Sequence, residues 1–238
     1  MDNRAYTLLV FEGERTEEQI FNSLNKYFFN EDNPIIYGIY ANNIYKLYNE
    51  IKADEDLDIF MLLKENQKNG QLENIKREDV AEIYLFFDYD GHDTQANNEA
   101  VDEMIELFNN ETEYGKLYIN YPMVESIRHI SKNIDFKELI HNTFDKKYKN
   151  RVHNESDNQY KQVKKYNKDL WLSIIKLHLK KANYIANNVF EAKQTVTQKQ
   201  IFQNQLEKYI VNNQVAILSS IALFVVDWYG LQIIDKKV

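Results

Sequence analysis

Apolar runs and polar breaks follow one another through the first half of the chain in a strand-then-helix rhythm. Ala5 to Phe11 (AYTLLVF) is an apolar stretch ended by Glu12-Gly13, and it predicts a strand. Thr16-Glu17-Glu18-Gln19 has the form of a capping box, and Ile20, Phe21, Leu24 and Phe28 then recur at helical spacing. Pro34 to Tyr40 predicts a second strand. Ala41 to Ile51 predicts a helix with Ile44, Leu47, Tyr48 and Ile51 on one face. A short helix is expected over Ile59 to Glu65 and a turn at Asn69-Gly70-Gln71. In Ile83 to Asp93 (IYLFFDYDGHD), five apolar or aromatic residues run straight into Asp88, the pattern of a strand buried on both faces. Thr94 to Asn109 predicts a helix with Val101, Met104, Ile105 and Phe108 as its stripe, and Lys116 to Asn120 a fourth strand.

The pattern changes after Tyr121, where no further strand is expected. Pro122 suits the first position of a helix, and Ser131 to Phe144 reads as partly helical. Residues 145–157 read as a polar loop or exposed helix end. A long helix is expected from Tyr160 towards Phe190, then helices from Gln198 to Asn212 and from Gln214 to Tyr229, with the apolar 214–226 segment the buried one. The expected fold class is α/β: a Rossmannoid, mainly parallel four-stranded sheet flanked by helices, with an all-helical C-terminal part. Residues 1–130 would form the sheet domain and 131–238 a helical region packed on it.

At 238 residues the chain is long enough to bury a sizeable core. It has no cysteine, which excludes disulfides and thiolate zinc sites. The chain enters its first strand almost at once, so no signal peptide is expected, and the longest apolar stretch, Val215 to Val226, is too short for a bilayer span. A cytoplasmic protein with no membrane partner is expected. The net charge of −8 conceals a split: residues 1–120 carry −16 and residues 121–238 carry +8. An acidic half suited to cations and a basic half suited to a polyanion fit this split, as do two solvated surfaces of opposite sign.

The chemistry gathers at strand ends. Alternation places Asp88 and Asp90 on one side, beyond the carboxyl end of a strand, where open α/β sheets bind ligands. If the first strand is a neighbour, Glu12 joins them. Such a hard, oxygen-rich set suits Mg²⁺ or Mn²⁺, with Glu12 as ligand or general base. The plainer reading of the same segment is an acidic loop capping the next helix, and Asp93 fits an N-cap better than a ligand.

A strand ending in Glu-Gly (LLVFEGERTE, 8–17) and a later strand ending in Asp-x-Asp (YLFFDYDGHD, 84–93) resemble the Toprim fold of topoisomerases, primases and overcoming-lysogenization-defect (OLD) nucleases. The EGERTE phrase, with Tyr121-Pro122-Met123-Val124-Glu125 after the fourth strand, is similar to small stand-alone Toprim-like proteins of phage defence, of the RloB and abortive-infection types. The resemblance covers about residues 5–130. It implies metal-dependent phosphodiester cleavage with Glu12, Asp88 and Asp90 catalytic and metal-binding, in an antiphage effector. Asp93 and Glu125 would be further metal ligands, although Glu125 equally fits an acidic residue in a helix's first turn.

Arg15 follows Glu12 where a helix N-terminus favours phosphate. His92, in the acidic loop, is a candidate phosphate contact. Residues 128–181 hold 14 Lys and Arg against 6 Asp and Glu, and Lys161, Lys164 and Lys165 lie in the densest part, interleaved with tyrosines. That composition suits nucleic acid, or a solvated helix face. Without a Walker A loop, any ATPase would be a separate partner protein, and a homo-oligomer is compatible with the sequence. Two other readings stand beside the nuclease: a non-catalytic binding or regulatory subunit that retains the fold, and a small-molecule phosphohydrolase.

Overall fold

The computed structural model describes residues 5–13, 15–29, 34–54, 56–91 and 96–234. At its centre lies a sheet of β1 (Tyr6–Phe11), β2 (Ile35–Ile39), β3 (Val80–Asp88), β4 (Asn109–Asn110) and β5 (Gly115–Asn120), in the order β2-β1-β3-β5-β4. The first three and β5 are mutually parallel, and β4 runs antiparallel to β5. The sheet therefore has five strands where four were expected, because a two-residue strand is too short to leave a hydrophobic period.

The sheet is covered on both faces, which is why β1 and β3 read as unbroken apolar runs. Leu8, Leu9, Val10 and Phe11 are all at most 1% exposed. Phe11, Phe86 and Tyr118 stand side by side in register across β1, β3 and β5. That row carries α1 (Arg15–Asn25) through Phe21 and α8 (Ser220–Tyr229) through Phe224, with ring centroids 4.8 Å apart for Phe11–Phe21 and 5.3 Å for Phe86–Phe224. Residues of the other parity face a second layer. There Gly38 lies so close to Leu63 of α3 (Ile59–Glu65) that an added Cβ would sit 2.9 Å from its Cδ1. Beside it α2 (Ile44–Ala53) packs on α4 (Asn98–Leu107).

Helix starts follow capping chemistry, though not always at the expected residue. Asn43, Asp58 and Asn97 cap α2, α3 and α4, each accepting a backbone N–H. α4 therefore starts at Asn98 rather than at the expected Thr94. Thr16 is not a cap, since α1 already begins at Arg15, and the side chain reaching back is that of Glu17.

The C-terminal half is not all helical. Ile140–Asn142 (β6) and Gln214–Ala216 (β7) form a small antiparallel sheet, so the last helix starts at Ser220 rather than Gln214. Each strand has three residues, and their partners are distant in sequence, so local periodicity carries no sign of them. Pro122 opens no helix: Met123 is extended and a 3-10 turn follows at Val124–Arg128. No α-helix forms within 131–144. Residues 145–157 instead contain α5 (Tyr148–Glu155), anchored by buried Tyr148 and Val152. The helix expected from Tyr160 is split into 3-10 turns at 158–160 and 163–165, then α6 (Lys168–Asn187), capped by Asn167. The next helix, α7, is shorter than expected, Gln198–Lys208. Among the described residues no helix is long and apolar enough to cross a membrane.

Candidate active site

Because β1 and β3 are parallel neighbours, the residues at their carboxyl ends meet. Glu12 follows β1 directly, and its backbone N–H donates to Phe86 O at 3.2 Å. Its side chain turns across to β3, where the Asp88 N–H donates to Glu12 Oε2 at 3.0 Å. Asp88 ends β3, and Tyr89 points the other way, buried against Tyr121 and donating to Asn98 Oδ1 at 2.8 Å. Asp90 thereby returns to the side of Asp88, as the alternation predicts. Glu12, Asp88 and Asp90 all line one open cavity of about 510 Å³ at the carboxyl edge of the sheet.

The same cavity receives residues from two other elements. Arg15 and Thr16 come from the first turn of α1, and Lys149 from α5. Glu17, in the same first turn of α1, is 6% exposed, and its Oε1 accepts from Gly13 N at 3.3 Å. A Cβ on residue 13 would lie 3.0 Å from that oxygen, so the glycine after Glu12 leaves room for the second carboxylate. Glu125, in the turn after β5, is 2% exposed. Its Oε1 lies 3.5 Å from Lys149 Nζ, and its Oε2 is buried without a hydrogen-bond partner.

Crowding several carboxylates out of water disfavours their ionisation. Burial, reinforced by Asp90 and Glu17, pushes the Glu12 carboxyl up to about 8, against the stabilising Asp88 N–H. Burial, then Glu12, raises the Asp88 carboxyl well above the usual carboxylate range. Glu17 is raised as well, chiefly by burial. A bound cation would relieve this stored repulsion. The donors are hard oxygens of the type Mg²⁺ and Mn²⁺ prefer. Glu125 is near enough for its charge to raise Asp88 further, but it does not line the cavity. Among the described residues, no three His, Asp or Glu side chains are drawn together at metal-ligand spacing. A Mg²⁺-like ion that keeps several waters needs only one or two carboxylates, so the donor chemistry of Glu12 and Asp88 fits.

The basic residues divide between two places. Arg15 is exposed at the start of α1 and faces the carboxylate cavity. Lys161, Lys164 and Lys165 line a neighbouring cavity of about 400 Å³ with Arg128 and Gln19. Thr16 lines both cavities, so the two adjoin across the first turn of α1. His92 and Asp93 lie outside the described residues. Of the other histidines, His129 is buried between Tyr148 and Glu155, at 3.1 and 2.9 Å, and His178 accepts from Ser219 N at 3.0 Å. Both serve packing.

Sequence reasoning missed Glu17 and the placement of Lys149. The helix dipole accounts for Glu17 without any site, and only the approach of α5 brings Lys149 to the carboxylates. A cavity of similar volume between α4, β5 and α7 has both its lysines engaged, Lys116 by Asp227 at 3.3 Å and Lys199 by Asp102 at 2.7 Å and Glu106 at 2.8 Å. It lacks the convergence of carboxylates found at the sheet edge. Comparison of the chain with family models, curated proteins and solved structures returned no match.

Proposed function

We propose that the chain is a Mg²⁺- or Mn²⁺-dependent phosphodiesterase that cuts nucleic acid, built on a Toprim-like arrangement. The observation that carries this reading is the convergence of Glu12, Asp88 and Asp90 on one cavity together with Arg15 and Lys149. Carboxylates beside cations are what a metal-bound phosphate needs: oxygen ligands for the ion and positive groups for the remaining phosphate charge. When bound, the cation supplies Lewis-acid stabilisation of charge growing on a phosphate oxygen.

The chain's own residues divide the other work. Asp88 and Glu12 would hold the ion, with Asp90 at the cavity wall beside them. Glu12 keeps a second oxygen, Oε1, that does not receive the Asp88 N–H, and it would serve as a ligand of the ion or as the base that takes a proton from an attacking water. Arg15 and Lys149 orient the scissile phosphate. Lys161, Lys164, Lys165 and Arg128, in the adjoining cavity, hold the strand on one side of the cut. Antiphage defence beside a separate ATPase remains the setting that the sequence resemblance implies.

The test is cleavage of plasmid, single-stranded DNA and total tRNA with Mg²⁺ or Mn²⁺, wild type beside Glu12→Gln and Asp88→Asn. The expected result is metal-dependent cutting that falls by at least about a hundredfold in each variant, the scale of losing a transition-state electrostatic contact. Variants that cut as well as wild type would remove these carboxylates from the mechanism. A wild type that binds nucleic acid without cutting it under any metal would favour the non-catalytic subunit instead.

A further inference from the structure

The last residue of β5, Asn120, is level with Asp88 on the adjacent strand and is 1% exposed. Its Nδ2 donates to Asp88 Oδ1 at 3.3 Å. Its Oδ1 accepts three hydrogen bonds from the start of α8: Ser220 N at 3.1 Å, Ser220 Oγ at 3.2 Å and Ser219 Oγ at 3.3 Å. A backbone N–H can only donate, so the side-chain atom facing Ser220 must be the oxygen, and the amide nitrogen is thereby turned to Asp88. The amide has no freedom to flip without leaving a buried donor unpaired.

The serines are fixed in turn. Leu218 forms a two-way bridge with Tyr121, the N–H donors at 2.8 and 3.0 Å, and its carbonyl also accepts from Ser126 Oγ at 3.1 Å. Ser219 N donates to His178 on α6, whose ring burial keeps neutral. The segment 218–220 is therefore stitched to the carboxyl end of β5 from several sides.

We propose that Asn120 is the positioning residue for Asp88, and that the start of α8, 100 residues along the chain, completes the carboxylate site through it. This rests on the cation-binding reading of Asp88 given above. Asn120 holds one carboxylate oxygen of Asp88 in a fixed direction, and the opening of α8 holds Asn120. The C-terminal half is then part of the site's construction.

The experiment is calorimetric titration of the full chain with MnCl₂ at neutral pH, for wild type, Asn120→Leu and the double variant Ser219→Ala/Ser220→Ala. Circular dichroism and urea melts establish that each is folded. Asn120→Leu is expected to bind Mn²⁺ roughly 10- to 100-fold more weakly, the usual effect of losing the group that orients a metal ligand. The serine variant keeps Asn120 and the Ser220 N–H and should lose about fivefold. In the cleavage assay Asn120→Leu should need more Mn²⁺ for half-maximal rate yet recover most of its rate at saturation, a split that general destabilisation does not produce. Wild-type affinity in a folded Asn120→Leu would overturn the positioning role while leaving the cation site intact. If that variant does not fold, unchanged affinity in the serine variant has the same force. A wild type that binds no Mn²⁺ would overturn both the site reading and this one.

Discussion

Glu12→Gln is the most direct perturbation of the carboxylate centre. Glutamine keeps the shape and an oxygen to accept the Asp88 N–H, which lies 3.0 Å from Glu12 Oε2, and removes only the ionisation. Burial moves the Glu12 carboxyl from 4.5 to about 8, a displacement of about 3.5 pH units. Each unit corresponds to about 1.4 kcal/mol, so the ceiling is about 5 kcal/mol. Glu12 and Asp88 share the charge between them, which brings the expected value for one substitution to roughly 2–4 kcal/mol.

The direction follows from proton binding. Below pH 4.5 both folded and unfolded chains hold the proton, and the variant gains nothing. From there to about pH 8 the folded state holds it more tightly, so wild-type stability falls as pH rises, and above pH 8 the loss is complete. Urea denaturation in metal-free buffer at pH 4, 7 and 9 should give near-equal stabilities at pH 4 and a Gln variant more stable by roughly 2–4 kcal/mol at pH 9. Added Mn²⁺ should narrow the gap by stabilising wild type more than the variant, which has lost one carboxylate ligand. Parallel pH profiles for the two proteins would show that Glu12 is not held in a charge-hostile site, and the reasoning would fail.

Two further outcomes are expected. Phe224→Ala should cost about 3–5 kcal/mol in urea unfolding, since the ring is fully buried against Phe21, Phe86 and Tyr118. A cost under 1 kcal/mol would mean that α8 does not seal the sheet. Reversing Lys161, Lys164 and Lys165 to Glu should weaken nucleic-acid binding by at least tenfold at low salt and flatten its salt dependence, with little change in melting, as fluorescence anisotropy would report. Unchanged binding would move the substrate path away from this cavity.

Much of the first half was legible because its signals are local. β1 and β3 are buried on both faces and announce themselves as apolar runs, and Glu12, Asp88 and Asp90 stand out as the polar residues that end them. The helices of that half follow from stripes at helical spacing, although their starts moved to Asn43 and Asn97, since several polar residues near each start can cap equally well. Neither β4 nor the β6–β7 pair could be read: two residues are too few to show a period, and the three-residue strands β6 and β7 pair with partners far away in the sequence.

By itself, then, the sequence determined an α/β chain with a buried parallel core and carboxylates at its strand ends. Local periodicity and chain chemistry are enough for that. Only the tertiary structure decided which strand ends are neighbours, and so that Glu12 receives the Asp88 N–H. It also decided that Lys149 arrives from α5, that Glu17 and Glu125 are buried in the same neighbourhood, and that Asn120 is clamped between Asp88 and the start of α8. These relations join residues from five to over a hundred positions apart. They are set by how whole elements pack to cover the sheet, a property no window along the chain contains.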